Sequence, residues 1–254
     1  MIYITGDTHA DFSRFSTNNF PEQREMSKDD YVIICGDFGG IWTTPDSDRT
    51  EKHWLEWLES KPFTILFVDG NHECFDRLEQ FKTINYHGGK AHQIRNNIYH
   101  LMRGYVFEFE GKKFFTFGGA SSQDIKDGIL NIEDYSSAKE LVEDYNQRTR
   151  KGELLRINHI SWWKEELPTS SEMRRGIREL EKVNYAVDYV ITHCLPQSVV
   201  SLMSPGKGDK LTEYFNDLLD KGLKFKEWHC GHYHVEDKLL GKYLIHYKKI
   251  QRLM

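Results

Sequence analysis

Eight polar residues whose side chains carry metal-binding or proton-transferring groups follow short apolar runs in this sequence. They are Asp7, His9, Asp37, Asn71, His72, His193, His232 and His234. Carboxylate and amide oxygens and imidazole nitrogens suit divalent cations, and no thiolate is among them. A single ion would need three or four such ligands. The set therefore suggests two metals, with a carboxylate such as Asp37 bridging ions about 3.5–4 Å apart.

Taken singly, most of these motifs have ordinary structural explanations. Asp7-Thr8-His9 could be a turn with a helix N-cap, and Gly36-Asp37 is common turn chemistry. His193 could be a core histidine whose hydrogen bonds are satisfied. Gly231-His232-Tyr233-His234 is more specific, because alternation along an extended segment puts two imidazoles on one side. Their joint occurrence after successive apolar runs favours a common site.

The apolar runs that precede the motifs are typical of buried strands. Residues 31–35 are nearly continuously apolar, as in a parallel-sheet strand buried on both faces, and residues 63–68 have the same character. Apolar residues at helical spacing predict a crossover helix at 48–60, between Asp48 and Ser60. Strand, polar loop and helix in this order indicate a parallel α/β sheet. In such a sheet ligands bind just past the carboxyl ends of the strands, where the polar motifs lie.

The second half of the sequence contains a hairpin pattern and a long charged stretch. Glu110-Gly111 lies between two apolar arms and predicts a hairpin. Residues 123–187 are the most charged stretch and predict two or three helices, one of which begins at Thr169, since Thr169 and Glu172 have capping-box spacing. We interpret this stretch as a helical insertion that covers part of the site, with Trp162-Trp163 as its apolar anchor.

Length and composition limit the class of protein. The 254 residues fit one domain, and no repeat or linker divides them. A net charge of -5 lacks the basic footprint of duplex nucleic-acid binders. No apolar stretch approaches the roughly 18 residues of a membrane span, and no signal-peptide pattern opens the sequence, so we expect a cytoplasmic protein. Four scattered cysteines without a CxxC pair argue against a disulfide scaffold or a structural zinc site.

The ordered set of motifs resembles the calcineurin-like metallophosphoesterase superfamily. The matching motifs are Asp7-x-His9, Gly36-Asp37, Gly70-Asn71-His72-Glu73, His193 and Gly231-His232-x-His234. The resemblance covers the chain from residue 7 to residue 234. It implies an α/β fold, a four-layer α/β/β/α sandwich of two mixed β-sheets with the site at the strand ends. It also implies a metal-dependent hydrolase of phosphate monoesters or diesters.

The resemblance assigns a role to most of the matching residues. It implies seven metal ligands: Asp7, His9 and His234 for the first ion, Asn71, His193 and His232 for the second, and Asp37 as the bridge. His72 matches the family's proton donor to the leaving oxygen. Glu73 follows it, as in many members, without a defined role.

The residue types support the same chemistry. Two cations would clamp the phosphate oxygens and lower the pKa of a shared water, so that a bridging hydroxide is available for in-line attack near neutral pH. His72 lies one residue beyond a metal-binding amide and is not free to bind the same ion, but it can donate a proton to a leaving-group oxygen. Oxygen and nitrogen ligands do not select among manganese, iron, nickel and zinc.

The substrate stays open at this level: a phosphorylated small molecule, a nucleotide or a phosphoprotein. Residues 36–40 lack the arginine that protein Ser/Thr phosphatases carry there, which argues against that branch. Residues 118–122 could contact phosphate oxygens or could only form a tight turn. Arg156, His159 and Trp162 could contact a substrate, although a solvated helical face with a buried aromatic is the favoured interpretation.

The sequence leaves two alternatives to an enzyme of this kind. A catalytically silent scaffold or interaction protein would keep the fold, but such proteins usually lose ligands or the proton donor, and here each position is filled. A nuclease of the same superfamily would call for a basic groove and usually further domains, which this short acidic sequence does not offer. The predicted function is a phosphoesterase that depends on two divalent metal ions.

Overall fold

Two large β-sheets flanked by helices make up the structure, a computed structural model that describes residues 1–42 and 49–254. In chain order the strands are β1 (Ile2–Thr5), β2 (Tyr31–Ile34), β3 (Thr64–Phe67), β4 (Lys82–Tyr86), β5 (Gly89–Arg95), β6 (Ile98–Leu101), β7 (Tyr105–Phe109), β8 (Lys112–Phe117), β9 (Gly128–Leu130), β10 (Leu155–Ile157), β11 (Tyr189–Thr192), β12 (Glu227–Cys230), β13 (Asp237–Leu239), β14 (Tyr243–Ile245) and β15 (Gln251–Arg252). The helices are α1 (Arg49–Glu59), α2 (Phe75–Leu78), α3 (Ala138–Arg150), α4 (Ser170–Lys182), α5 (Gln197–Met203) and α6 (Lys210–Asp220). The helix predicted at 48–60 is α1, although Asp48 itself lies outside the described residues. None of the described helices combines the length and the apolar composition that a bilayer span requires.

The first sheet has the strand order β15-β1-β2-β3-β6-β5-β4. Strands β1, β2, β3 and β6 run parallel, so that Ile4 lies opposite Ile33 and Ile33 lies opposite Leu66. The outer strands are antiparallel, which makes the sheet mixed. The three parallel strands β1 to β3 follow the predicted apolar runs. Strand β4 is largely exposed and has no such run, which is why the sequence did not predict it.

The second sheet has the strand order β13-β14-β12-β11-β8-β7. Its four inner strands are parallel, and β7 and β13 are antiparallel edges. The predicted hairpin joins β7 to β8, with φ of 51° at Glu110 and 68° at Gly111. The sequence prediction of a hairpin at this position is confirmed.

Alternation along the strands sorts the apolar side chains into three clusters that separate four layers. The cluster between the two sheets includes Ile2, Ile4, Ile33, Leu66, Phe114 and Ile191. The cluster on the outer face of the first sheet includes Ile34, Phe67, Leu55 and Leu58, the last two from α1. The cluster on the outer face of the second sheet includes Phe115, Val190, Leu180 from α4 and Phe215 from α6. This layering confirms the predicted α/β/β/α sandwich of two mixed sheets.

Residues 123–187 contain α3, α4 and a short parallel sheet of β9 and β10. Thr169 caps α4 through a capping box with Glu172, as predicted. Leu180 joins the cluster outside the second sheet, so α4 packs as part of that layer. Trp163 is buried in the cluster outside the first sheet and anchors the segment there. The division into one domain with an insertion at 123–187 remains a prediction.

Candidate functional site

The eight predicted site residues lie together in the loops that follow β1, β2, β3, β11 and β12. His234 Nε2 lies 3.1 Å from Asp7 Oδ2 and 3.1 Å from His9 Nε2. His193 Nε2 lies 3.3 Å from Asp37 Oδ2 and 3.3 Å from Asn71 Oδ1. The ring centroids of His232 and His193 are 5.0 Å apart, and those of His72 and His9 are 5.5 Å apart. The structure therefore gathers residues from both sheets at one edge of the sandwich.

The Asp7 carboxylate has one oxygen held by the backbone and one that points into the centre. Oδ1 accepts a hydrogen bond of 2.9 Å from the backbone N–H of His232. Oδ2 is buried and accepts no hydrogen bond from the described residues. It lies near the ring nitrogens of His9 and His234, at 3.7 Å and 3.1 Å. A buried carboxylate oxygen without a donor is costly unless a cation or proton occupies the space beside it.

Asp37 repeats this arrangement in the neighbouring loop. Its Oδ1 accepts a hydrogen bond of 2.8 Å from the backbone N–H of His72. Its Oδ2 lies between two imidazoles, 3.5 Å from His9 Nε2 and 3.3 Å from His193 Nε2. This oxygen is therefore placed between the two predicted ligand sets.

The tautomer of His193 follows from its hydrogen bond to the backbone. Nδ1 lies 2.7 Å from the carbonyl oxygen of Cys35, and because a carbonyl only accepts, Nδ1 carries the hydrogen. Nε2 faces Asp37 Oδ2 and Asn71 Oδ1, both of which are acceptors, so either a proton or a metal ion is needed at Nε2. A second proton on the ring would supply positive charge there, and so would a metal ion bound to all three atoms. The donor set fits a divalent cation.

The electrostatics of the centre also favour cations. Burial opposes charge on His193, but the carboxylates of Asp37 and Asp7 overcome it and raise the pKa of His193 to about 10. Burial alone would raise the pKa of Asp37, and the nearby His193 instead holds the pKa of that carboxyl well below its usual range. Burial, assisted by His193, lowers the pKa of His232 to about 4, which keeps that ring neutral with a free lone pair. Burial also lowers the pKa of His72.

Two glycines give the carboxylates room. A Cβ on Gly70 would lie 1.9 Å from Oδ1 of Asp37, and a Cβ on Gly231 would lie 2.0 Å from Oδ1 of Asp7. Both distances are far inside van der Waals contact, so any side chain at either position would displace a predicted ligand. This explains why a glycine stands in each of these motifs.

Four of the predicted ligands have left-handed backbone conformations. The φ angles are 44° at His9, 47° at Asp37, 70° at His232 and 53° at His234. Such conformations cost non-glycine residues about 1–3 kcal/mol each and persist where the surrounding structure fixes them. Their concentration at the centre is typical of a binding site.

A hydrogen-bonded chain orients the amide of Asn71, and the sequence did not predict it. Asn71 Nδ2 donates a hydrogen bond of 3.2 Å to Ser122 Oγ, which fixes Oδ1 as the atom that faces His193. Ser122 Oγ in turn donates to Oε2 of Glu166, and the backbone N–H of Ser122 donates to Oε1. The sequence allows Ser122 to contact phosphate oxygens, whereas the structure shows its hydroxyl bonded to Asn71 and Glu166. Glu166 stood in no recognisable motif.

A buried ion pair supports the loop after β3. Arg103 donates from Nε and Nη2 to Oδ2 of Asp69, and His100 Nε2 lies 3.0 Å from Oδ1. Arg103 also donates to the backbone carbonyls of Glu165 and Glu166, so the pair reaches the segment that carries Glu166. Asp69 stands directly before the Gly70-Asn71 motif, so the sequence places it near the site. The sequence does not indicate that Arg103 and His100 are its partners.

Two further residues hold the loops of the centre in place. Glu73 Oε1 accepts a hydrogen bond of 2.7 Å from the backbone N–H of Phe38, which ties the loop after β3 to the loop after β2. Burial raises the pKa of Glu73 well above its usual range. The Arg14 guanidinium donates to the backbone carbonyls of Gly6, Asp7 and Tyr247. The carboxylate of Glu73, for which the sequence defines no role, thus holds two loops of the centre together. The sequence does not predict the similar role of Arg14.

Arg156 does not lie on the solvated helical face that the sequence favoured. It lies on β10, because Leu155 and Ile157 on either side of it are buried, which is the alternation of a half-buried strand. Its Nε donates a hydrogen bond of 2.8 Å to Asp124 Oδ2. Together with His72 it lines a cavity beside the centre. A strand of three residues is too short to be recognised from its pattern.

The loop after β10 packs on α2. His159 Nδ1 lies 2.8 Å from Asp76 Oδ2, and Trp163 Nε1 donates to the same oxygen at 2.8 Å. Trp162 is half-buried in this loop. The expected helical face at His159 and Trp162 is therefore a loop, and its role is to anchor the segment beside the site.

Comparison with known proteins places these motifs in a wider group. A family model described as calcineurin-like phosphoesterase matches residues 1–236. The lariat debranching enzyme of Arabidopsis thaliana is 24% identical over 260 aligned residues, which cover 92% of this chain and 54% of that protein. The lariat debranching enzyme of Homo sapiens is 20% identical over 260 residues, which cover 92% and 42%. Lariat debranching enzyme A of Xenopus laevis is 25% identical over 146 residues, which cover 53% and 24%. The chain spans about half or less of the length of these relatives.

Proposed function

The chain belongs to the calcineurin-like phosphoesterase family, a family of metal-dependent phosphoric ester hydrolases, and we propose that it hydrolyses phosphodiesters at a centre of two divalent metal ions. One observation carries the proposal above all others. Atoms that can ligate a metal, carboxylate oxygens and imidazole nitrogens, lie within 4.8 Å of one another in two adjacent groups, Asp7-His9-His234 and Asp7-Asp37-His193. The two buried carboxylates in these groups are stabilised by positive charge beside them, and the mixed oxygen and nitrogen donors fit divalent cations.

Each ion would have its own ligands and one shared carboxylate. Asp7, His9 and His234 would hold one ion, Asn71, His193 and His232 the other, and Asp37 would bridge. The position of Asp37 Oδ2 between His9 and His193 supports the bridging role. When bound, such ions supply positive charge to the phosphate oxygens and lower the pKa of a water molecule.

The chain's own groups then orient the site and move the proton. The backbone N–H groups of His232 and His72 hold Oδ1 of Asp7 and of Asp37, which leaves both Oδ2 atoms turned inward. The imidazole of His72 is half-buried at the mouth of the centre, beside His9. From there it would donate a proton to the leaving oxygen, so that an alcohol rather than an alkoxide departs.

Two lines of support favour a diester over a monoester and an enzyme over a silent scaffold. The relatives carry the name lariat debranching enzyme and align with most of this chain, which favours a diester. All seven predicted ligands and the proton donor are present and lie together, whereas a silent scaffold would be free to lose them.

The experiment is metal analysis of the purified protein together with turnover of a chromogenic diester and the matching monoester. We expect about two bound divalent ions per chain, faster hydrolysis of the diester, and loss of activity with a chelator that added manganese, iron, nickel or zinc reverses. Asp37→Asn should lower metal content and rate together. Unchanged activity in Asp37→Asn, or a protein that binds metal but turns over neither ester, would overturn the proposal.

A further inference from the structure

A cavity of about 680 Å³ opens beside the centre and shares two residues with it. His9, a predicted ligand, and His72, the proposed proton donor, both line it. A proton donor acts on the leaving oxygen, so the cavity that His72 lines lies on the leaving-group side of the phosphate. The volume falls within the range of about 300–1,000 Å³ typical of small-molecule sites.

The cavity has aromatic walls whose orientation is fixed by packing. Trp42 and Trp54 line it, and each is half-buried. The Trp42 ring meets the buried Trp163 ring edge-on at 5.6 Å, and the Trp54 ring meets the buried Phe12 ring at 5.9 Å. Indole rings held in this way offer a planar ring pre-formed aromatic surface at the cavity wall.

The charged side chains that reach the cavity are already paired. Both oxygens of Glu51 accept hydrogen bonds from Arg77 Nη1, at 2.6 Å and 2.7 Å. Arg156 is paired with Asp124. The lining therefore presents aromatic surface with little net charge, which suits a neutral planar group better than a second phosphate.

We propose that this cavity binds the nucleoside portion of the leaving group, so that the diester is a nucleotide ester whose base stacks on Trp42 and Trp54. The inference rests on the proposed function, because it takes His72 as the donor to the leaving oxygen. A nucleoside offers a neutral planar base and a sugar whose hydroxyl is the leaving oxygen. A phosphoprotein would instead bring backbone amides that need hydrogen-bond partners, which aromatic walls supply poorly.

The first test uses the wild-type protein loaded with metal. Free adenosine and free uridine should inhibit hydrolysis of the chromogenic diester competitively and should quench tryptophan fluorescence over the same concentration range, whereas ribose should do neither. Adenosine should bind more tightly than uridine, because a larger ring stacks over more indole surface. If the diester is hydrolysed but nucleosides neither inhibit nor quench, the cavity assignment is wrong while the proposed function stands. If the diester is not hydrolysed at all but adenosine still quenches, the proposed function fails and the binding site survives.

The second test uses matched tryptophan variants. Trp42→Leu should raise the adenosine inhibition constant roughly 10-fold, since stacking on an aromatic side chain contributes about 1–3 kcal/mol per base. Trp42→Phe should retain most of the affinity. Trp162→Leu is the control, because Trp162 is a half-buried indole in the loop after β10 that does not line the cavity. An equal loss of affinity in Trp162→Leu would show that the effect is not specific to the cavity and would overturn the assignment.

Discussion

The backbone N–H of His72 donates a 2.8 Å hydrogen bond to Oδ1 of Asp37. One residue thus has two separable contributions to the centre. Its main chain fixes the carboxylate that lies between the two ligand sets, and its half-buried imidazole lies at the mouth of the site beside His9. The close approach is possible only because Gly70 has no Cβ, which would collide with the same oxygen.

This division predicts that His72→Ala separates catalysis from metal binding. The backbone N–H remains in the variant, so Asp37 keeps its hydrogen bond and metal content should not change. Loss of a positioned proton donor should lower kcat by about 10²–10⁴-fold. Metal analysis and steady-state kinetics on one preparation measure the two quantities. Asp37→Asn is the comparison, in which both metal content and kcat should fall. A drop in metal content in His72→Ala would instead make the imidazole a ligand.

Ser122→Ala should weaken the binding of one of the two ions. The variant leaves Asn71 Nδ2 without its acceptor, so Oδ1 is no longer held toward His193. Loss of a residue that orients a ligand typically lowers metal affinity about 10–100-fold. Titration calorimetry of the metal-free protein should show one weakened step and one unchanged step. Glu166→Gln, which keeps an acceptor for the Ser122 hydroxyl, should have the smaller effect.

Ser121→Ala is the matched control for that experiment. Ser121 is the neighbouring serine and stands outside the hydrogen-bonded chain of Asn71, Ser122 and Glu166. Equal weakening in Ser121→Ala would assign the effect to the loop as a whole. Weakening of both metal steps in Ser122→Ala would contradict a role confined to Asn71.

How much of this centre the sequence could predict depends on the range of the interactions involved. Parallel strands bring their carboxyl ends to one edge, so Asp7, Asp37 and Asn71 could be placed together from local apolar runs alone. The parallel strands β1 to β3 follow from the same runs, whereas the two mixed sheets and their four layers were implied by the resemblance to the family. Strand β4 could not be predicted, because it is an exposed edge strand and its sequence lacks the apolar run that indicates a buried strand.

Residues that act through distant partners could not be predicted in the same way. Glu166 reaches Ser122 across 44 positions, and Arg103 reaches Asp69 across 34. Neither residue stands in a motif, and a lone charged residue in a polar stretch is usually solvated. Only the tertiary structure shows that both are buried.

The buried pair of Asp69 and Arg103 predicts a large loss of stability when one partner is removed. Burial alone would raise the pKa of Asp69, but the Arg103 guanidinium holds the pKa of that carboxyl well below its usual range. Asp69→Asn leaves the buried guanidinium with only the more distant Glu172 carboxylate, 3.8 Å from Nη1, and should lower the free energy of unfolding by about 3 kcal/mol. Urea denaturation of the metal-free protein measures the change.

A double-mutant cycle shows whether the two residues act as a pair. Asp69→Asn combined with Arg103→Met removes both charges, so its cost should be well below the sum of the two single costs. Additive costs would show that the two residues stabilise the protein independently. The cycle is measured without metal so that ligand geometry does not contribute.

A second buried pair, His229 and His246, predicts that acid weakens the folded protein. His229 Nδ1 lies 2.9 Å from His246 Nε2 and the rings stack at 5.2 Å. Burial lowers the pKa of His229, although the Glu227 carboxylate 3.5 Å away acts to raise it. Burial also lowers the pKa of His246, to about 3. In the unfolded chain each histidine titrates near its ordinary pKa of about 6.5.

The sign of the effect follows from proton counting. Above about pH 6.5 both states leave His246 neutral, so its contribution does not vary with pH. Between that value and the folded pKa of about 3, the unfolded chain binds a proton that the folded protein excludes. As the pH decreases through this range, the free energy of unfolding should therefore fall by up to about 1.4 kcal/mol per pH unit because of His246.

His246→Gln removes the titrating ring, so the loss of stability from pH 7 to pH 5 should be smaller than in the wild type by about 1–2 kcal/mol. Urea denaturation of chelator-treated protein at both pH values provides the comparison, and parallel losses in the two proteins would show that His246 is protonated in the folded state.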